Sequence, residues 1–160
     1  MDALAPDGWS ADDQRLYGRV AEQVTAAVGR GELPALGSGV SPLQTQLHGL
    51  LMAERALPDE AHARLAGWFS CACMGGHHLW QDLGVQARPE VSRLLSLAFP
   101  ALFASNTHHL RWKRHLFLCL GQSLGLPELR PPKCDHCGDF DACMGMPAPN
   151  IVAFVKPRDD

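Results

Sequence analysis

Apolar residues recur at helical spacing along most of the chain, while strict alternation of apolar and polar positions is almost absent. Ser10 reads as an N-cap with Asp12 and Asp13 in the first turn, and Leu16, Val20, Val24, Ala27 and Val28 form a stripe that Gly29 and Gly31 end. After a loop, LPALGSGVSP, Ser41 as cap and Pro42 at the first helical position open a second helix. Its Leu43, Leu47, Leu50 and Leu51 fall on one face. Pro58 or Asp59 starts a third, with Ala61, Leu65, Trp68, Phe69 and Ala72 inward and Gly75-Gly76 as its stop. A fourth opens at Pro89, burying Val91, Leu94, Leu95 and Ala98, and a fifth is expected from Asn106 or Thr107 to about Gly125. After Pro127 the prolines at 131, 132, 147 and 149 exclude a helix. The expected fold is therefore all-α: a bundle of about five helices over residues 10–125, a proline-rich loop over 126–146 that holds cysteines, and a tail over 147–160. Ile151–Val155 reads as a strand or as a tail packed on the bundle. No internal repeat is present, although His-His-Leu occurs at positions 77 and 108.

Composition narrows the function classes. A chain of 160 residues with 46% apolar residues suits one domain with one core. The 14 Lys and Arg against 17 Asp and Glu give a formal charge of -3, which offers no global attraction to nucleic acid or to an anionic membrane. The amino terminus, MDALAPDGWSADD, is acidic and has no apolar h-region. The longest apolar run, Leu94 to Ala104, is broken by Ser96 and Pro100 and is too short to span a bilayer. A cytoplasmic location is expected, where the six cysteines stay reduced and serve as metal ligands or buried apolar groups. No Ser/His/Asp or paired-carboxylate constellation and no glycine-rich phosphate loop stands out, so the chain is not expected to be an enzyme.

The candidate chemistry lies in the proline-rich segment, KCDHCGDFDAC. Cys134-x2-Cys137 turns two sulfurs toward one point, and five further residues let a loop bring Cys143 back to it. Two metal chemistries compete on spacing alone. Zinc wants four ligands, with His136, Cys119 or a distant histidine completing the set. A cuboidal iron-sulfur cluster on three thiolates leaves one corner open. Cys71 and Cys73 lie two positions, about 200°, apart on one helix and read as core residues. Cys119 sits at the edge of the apolar arc of Trp112, Leu116 and Leu120, one turn from His115, and reads equally as a half-buried core thiol or a ligand. The paired histidines at 77 and 108 read by default as exposed or capping groups, with a ligand role as the alternative. The run HHLRWKRH concentrates Arg111, Lys113 and Arg114 in an acidic chain: a solvated face, or a contact for an anion, an anionic cluster or an acidic partner.

Three segments, CMGGHHLWQDLGV (73–85), SNTHHLRWKRHLF (105–117) and CDHCGDFDACMG (134–145), stand in an order and at separations that resemble the NifQ family of nitrogen-fixation proteins. The combination of HLWQDLG, an N-T-x-x-x-[RK]-W-K motif and a closing C-x2-C-x5-C is far more specific than its parts. The resemblance implies a carrier of a molybdenum-iron-sulfur cluster that donates molybdenum to assembly of the nitrogenase iron-molybdenum cofactor, with the scaffold and iron proteins of that assembly as acceptors. It makes iron-sulfur of the 3Fe-4S or Mo-3Fe-4S type the main reading, held by Cys134, Cys137 and Cys143. A zinc-stabilised interaction module is the alternative, and an electron-transfer or cluster-binding enzyme without molybdenum is a third. Two departures stand out. The family motif is C-x4-C-x2-C-x5-C, and its first cysteine falls on Leu129 here; His77 stands where the family has asparagine, leaving His78 as the matching histidine. The open corner is then assigned to water, His78, Asp135 or another hard or borderline ligand such as His136, or to Cys119 as substitute thiolate.

Overall fold

The computed structural model describes residues 4–37, 41–126 and 129–131. Cys134, Asp135, His136, Cys137 and Cys143, the rest of the loop and the Ile151–Val155 segment lie outside the described residues. Among the described residues the fold is all-α, with seven helices and no strand: α1 Ala11–Gly29, α2 Pro42–Glu54, α3 Glu60–Ala72, α4 Leu79–Leu83, α5 Arg88–Ala98, α6 Pro100–Ser105 and α7 Trp112–Leu124. No described helix is long and apolar enough to cross a membrane.

The expected caps at Ser10 and Ser41 set the first two helix starts, and the third, expected at Pro58 or Asp59, is capped by Asp59. The hydroxyls of Ser10 and Ser41 accept from the backbone N–H of Asp13 and Gln44, and Asp59 accepts from that of His62. α3 packs on α1, α2 and α4, while α7 packs on α2. The aromatic pairs Tyr17–Trp68 and Phe69–Phe99 fill the centre with edge contacts, their ring centroids 5.0 and 5.7 Å apart. Over residues 114–121 α7 is buried on every side, as a helix that is apolar almost all round must be.

The structure departs from the five-helix expectation in three places. α4 has five residues, too few to show a stripe, and is defined instead by its ends: His78 at the N-cap and Gly84 at the C-cap with φ 80°. Phe99, at φ -136° and ψ 63°, leaves helical geometry before Pro100, so the apolar run through Ala104 becomes two helices, α5 and α6. The last helix begins at Trp112, not near Asn106. The reason is local: Asn106 donates through Nδ2 to the Leu110 carbonyl and accepts through Oδ1 from the Leu110 N–H, both at 2.9 Å. This clasp closes a tight turn, in which His109 takes φ 53°. Arg88 donates to the carbonyls of His109 and Leu110 and holds the turn from outside.

Candidate functional site

The two motifs that surround the histidine pairs meet at one ammonium group. Lys113, at the start of α7, reaches Asp82 of α4 with Nζ 2.8 Å from Oδ2 and also donates to the carbonyls of Gly75 and His77. A lysine has three N–H donors, and all three are used. The pair is largely buried, with side-chain exposures of 13% for Lys113 and 8% for Asp82. The carboxylate is equally committed: besides Lys113 it accepts from the His77 N–H at 3.3 Å and lies 3.2 Å from His77 Nδ1. Gly75 is required here because a Cβ on it would overlap this carboxylate. At the far end of α4, a Cβ on Gly84 would run into the Gln23 side chain. The Gly-Gly-His-His-Leu-Trp-Gln-Asp-Leu-Gly run is thus a short capped helix, tied by Asp82 to α7 and fitted against α1.

His78, expected as the matching histidine, is the N-cap of α4, and its backbone N–H donates to Gln81 Oε1 at 3.0 Å. His77 is the more exposed of the two, with 71% of its side chain accessible. Of the three basic residues proposed to meet an anion or partner, Arg114 is buried, Lys113 is engaged as above, and Arg111 is the half-buried N-cap of α7. The bland reading of that run as a uniformly solvated helix face is therefore incorrect: α7 is an interior helix. Trp112 donates from Nε1 to Ser92 Oγ at 2.9 Å and stacks on Phe103, which joins the turn to α5 and α6.

Cys119 is fully buried beside Ser105 and His115. Ser105 Oγ is 2.8 Å from His115 Nε2, and Cys119 Sγ is 3.4 Å from the same nitrogen. Burial pushes the Cys119 thiol up to about 12 and His115 down to about 4, so both groups are neutral near pH 7. His115 Nδ1 has no hydrogen-bond partner among the described residues. On the other side of α7, Gly121 lets the chain fold back after Gly125: Leu126 N–H donates to the Gly121 carbonyl at 2.7 Å, and a Cβ on Gly121 would lie 2.9 Å from Leu129 Cβ. Cys119 and Gly121 differ by about 200° around the helix. Cys119 thus faces α6, away from the segment that leads into the cysteine loop. Cys71 and Cys73 are core residues as expected, their thiols raised by burial, Cys73 to about 12. Among the described residues no group of three or more His, Cys, Asp or Glu side chains converges on a metal position.

Asp82 and Ser105 were not singled out from the sequence. Asp82 is the one carboxylate inside HLWQDLG, and its place between two glycines and a short helix was the available signal. Ser105 carried none, because its role depends on α6 meeting α7.

Comparison with known proteins agrees with the segment pattern. The chain is 35% identical over 104 residues to a "Protein NifQ homolog" of Sinorhizobium fredii and 34% identical over 100 residues to "Protein NifQ" of Azotobacter vinelandii. These matches cover 65% and 62% of this chain but only 45% and 51% of the two relatives, so it spans about half their length. A third relative, "Protein NifQ" of Klebsiella pneumoniae, is 32% identical over 151 residues, covering 72% of this chain and 89% of its own. No solved structure matches. The NifQ family matches residues 10–145, all seven helices and all six cysteines included, and the chain belongs to that family.

Proposed function

We propose that this protein carries a molybdenum-iron-sulfur cluster on Cys134, Cys137 and Cys143 and hands molybdenum to the proteins that assemble the nitrogenase iron-molybdenum cofactor. The observation that supports it is the division of the thiols. Of six cysteines, Cys71, Cys73 and Cys119 are buried and favour the protonated thiol, which is a poor ligand. That leaves the three in the C-x2-C-x5-C segment, and three thiolates suit a cuboidal cluster with one open corner. Soft sulfur holds iron, whereas molybdenum at a corner without a protein thiolate is the metal free to leave. The cluster is cargo here, and transfer needs no chemical step from the protein beyond weak ligation at that corner. The acceptors are a cofactor scaffold and the nitrogenase iron protein.

The test is metal analysis of anaerobically purified protein, with visible and spin-resonance spectra, followed by transfer to an acceptor scaffold. Iron and molybdenum together, with molybdenum moving to the acceptor, are expected. Replacing any one of Cys134, Cys137 and Cys143 with alanine should discharge most of the iron and leave the helical circular dichroism unchanged. Colourless protein with one zinc would overturn the proposal in favour of a zinc-stabilised interaction module. Reversible redox cycling of a molybdenum-free cluster would overturn it in favour of electron transfer.

A further inference from the structure

We propose that the trough beside the turn clasped by Asn106 is a docking site for a partner protein, and that it takes a short acidic segment carrying an aromatic or aliphatic side chain. Naming that partner as a molybdenum acceptor depends on the carrier function above; the chemistry of the trough does not.

The trough holds a positive charge that nothing neutralises. Its cavity, about 810 Å³, lies where α5, α6 and the start of α7 meet, and no Asp or Glu is among the described residues that line it. Arg15, Arg19, Arg30, Arg64 and Arg93 each pair with a carboxylate. Arg88, which lines the trough, instead donates through Nη2 to the carbonyls of His109 and Leu110, at 3.1 and 2.7 Å. These contacts fix the guanidinium without compensating its charge, and Nε and Nη1 have no acceptor among the described residues. A guanidinium oriented in advance suits a carboxylate. Ser92 adds a donor: its Oγ accepts from Trp112 Nε1 at 2.9 Å, which leaves its own O–H available. The sequence pattern pointed to Arg111, Lys113 and Arg114 for such a contact. With Arg114 buried and Lys113 held by Asp82, the arginine that lines the trough is Arg88.

An apolar shelf adjoins this cation. Phe103 stacks on Trp112 with ring centroids 5.9 Å apart, yet it is 40% exposed and is the one aromatic ring among the large apolar side chains left open in the described residues. An open aromatic beside an arginine is the composition of an interface centre. His109, on the same trough, holds φ 53°, a conformation that costs a side chain energy and persists because Asn106 and Arg88 enforce it. Exposure decides between a small molecule and a polypeptide. Arg88, Pro89, Phe103, Ala104, Thr107 and His109 are all exposed, so a small organic acid would stay largely in water, whereas sites for such ligands bury most of the ligand's surface. A peptide segment covers shelf and cation together. The chain's formal charge of -3 keeps the attraction local, which suits a short acidic segment and not a polyanion.

The experiment uses the full chain as purified and needs no bound metal, so its result is separate from that of the carrier function. A fluorescein-labelled peptide, Gly-Asp-Glu-Phe-Asp-Glu-Gly, should bind in fluorescence anisotropy and shift the Trp112 indole N–H signal in NMR spectra. The same peptide with Asn and Gln for its acids, or with Ala for its Phe, should bind about tenfold more weakly. Arg88→Gln keeps a donor for the turn but no charge. It should lose about tenfold in affinity and flatten the salt dependence between about 50 and 500 mM, whereas loss through an opened turn would leave that dependence in place. Phe103→Ala should lose about fivefold or more with its circular dichroism and salt dependence unchanged. Arg30→Ala, an exposed arginine that does not line the trough, should bind as the parent does. Equal binding of the amide peptide, an unchanged affinity or salt dependence in Arg88→Gln, or an equal loss in Arg30→Ala would each overturn the proposal. Tighter binding of a labelled oligonucleotide would overturn it in favour of nucleic acid, and self-association abolished by Phe103→Ala in favour of a second copy of this chain.

Discussion

Lys113→Met keeps most of the side-chain volume and removes only the ammonium, which makes it the sharpest probe of how the two motifs are joined. The loss falls on Asp82, whose side chain is 8% exposed and would keep only its contacts with His77. The carbonyls of Gly75 and His77 lose a donor as well. Leaving one member of a buried ion pair without its partner costs about 3–5 kcal/mol. For a domain of this size each kcal/mol moves Tm by roughly 2–4 °C, so a fall on the order of 10 °C is expected. Thermal and urea unfolding followed by far-ultraviolet circular dichroism measure it. Asp82→Asn completes a double-mutant cycle, in which the double variant should recover more than about 1 kcal/mol relative to additive losses. Arg30→Ala is the control: it and its partner Glu32 are both more than half exposed, and such a pair contributes little to stability. A loss below about 1 kcal/mol for Lys113→Met, or strict additivity in the cycle, would show that water screens the pair and that it does not hold the two motifs together.

Three further outcomes are expected. His115, lowered from 6.5 to about 4 by burial with a contribution from His108, stays neutral in the folded protein while its unfolded form takes a proton near 6.5. Its contribution is therefore complete above pH 6.5 and is lost as pH falls toward 4, by about 3 kcal/mol in total. Urea midpoints at pH 7, 5.5 and 4.5 should diverge between the parent and His115→Gln, and parallel curves would refute this; Ser105, Cys119 and, through Cys119, Glu54 are the other groups facing that site. Gly75→Ala should cost about 1–3 kcal/mol in urea unfolding, since the new methyl displaces Asp82; a neutral effect would mean the segment has slack. Leu129→Cys restores the family cysteine but trims a side chain packed against the core, so it should raise iron retention and slow molybdenum transfer while losing about 1 kcal/mol of stability; unchanged metal content would make position 129 irrelevant to the cluster.

The all-α class, the caps at Ser10 and Ser41, the start of α3 at Pro58 or Asp59 and the buried stripes of α1, α3 and α5 were legible in the chain, because they depend on spacing within a few residues and on chemistry that one side chain supplies to nearby backbone. The separation of the three cysteines in KCDHCGDFDAC suggests a shared metal, and those residues lie outside the described ones. The short α4, the break at Phe99 and the turn clasped by Asn106 carry no period to detect. They are set by αL glycines, by a proline and by a side chain bonding to a backbone four residues away. The placement of the basic run was decided only by the tertiary structure: Arg111, Lys113 and Arg114 read as one charged surface, yet burial of α7 on all sides puts Arg114 inside and draws Lys113 into a contact with a carboxylate 31 residues distant. The same folding turned Cys119 toward α6 and left His77 exposed while His78 became the half-buried N-cap of α4. A one-dimensional pattern records which donors and acceptors a chain owns. Which of them are satisfied in the interior depends on contacts between segments that no local spacing encodes.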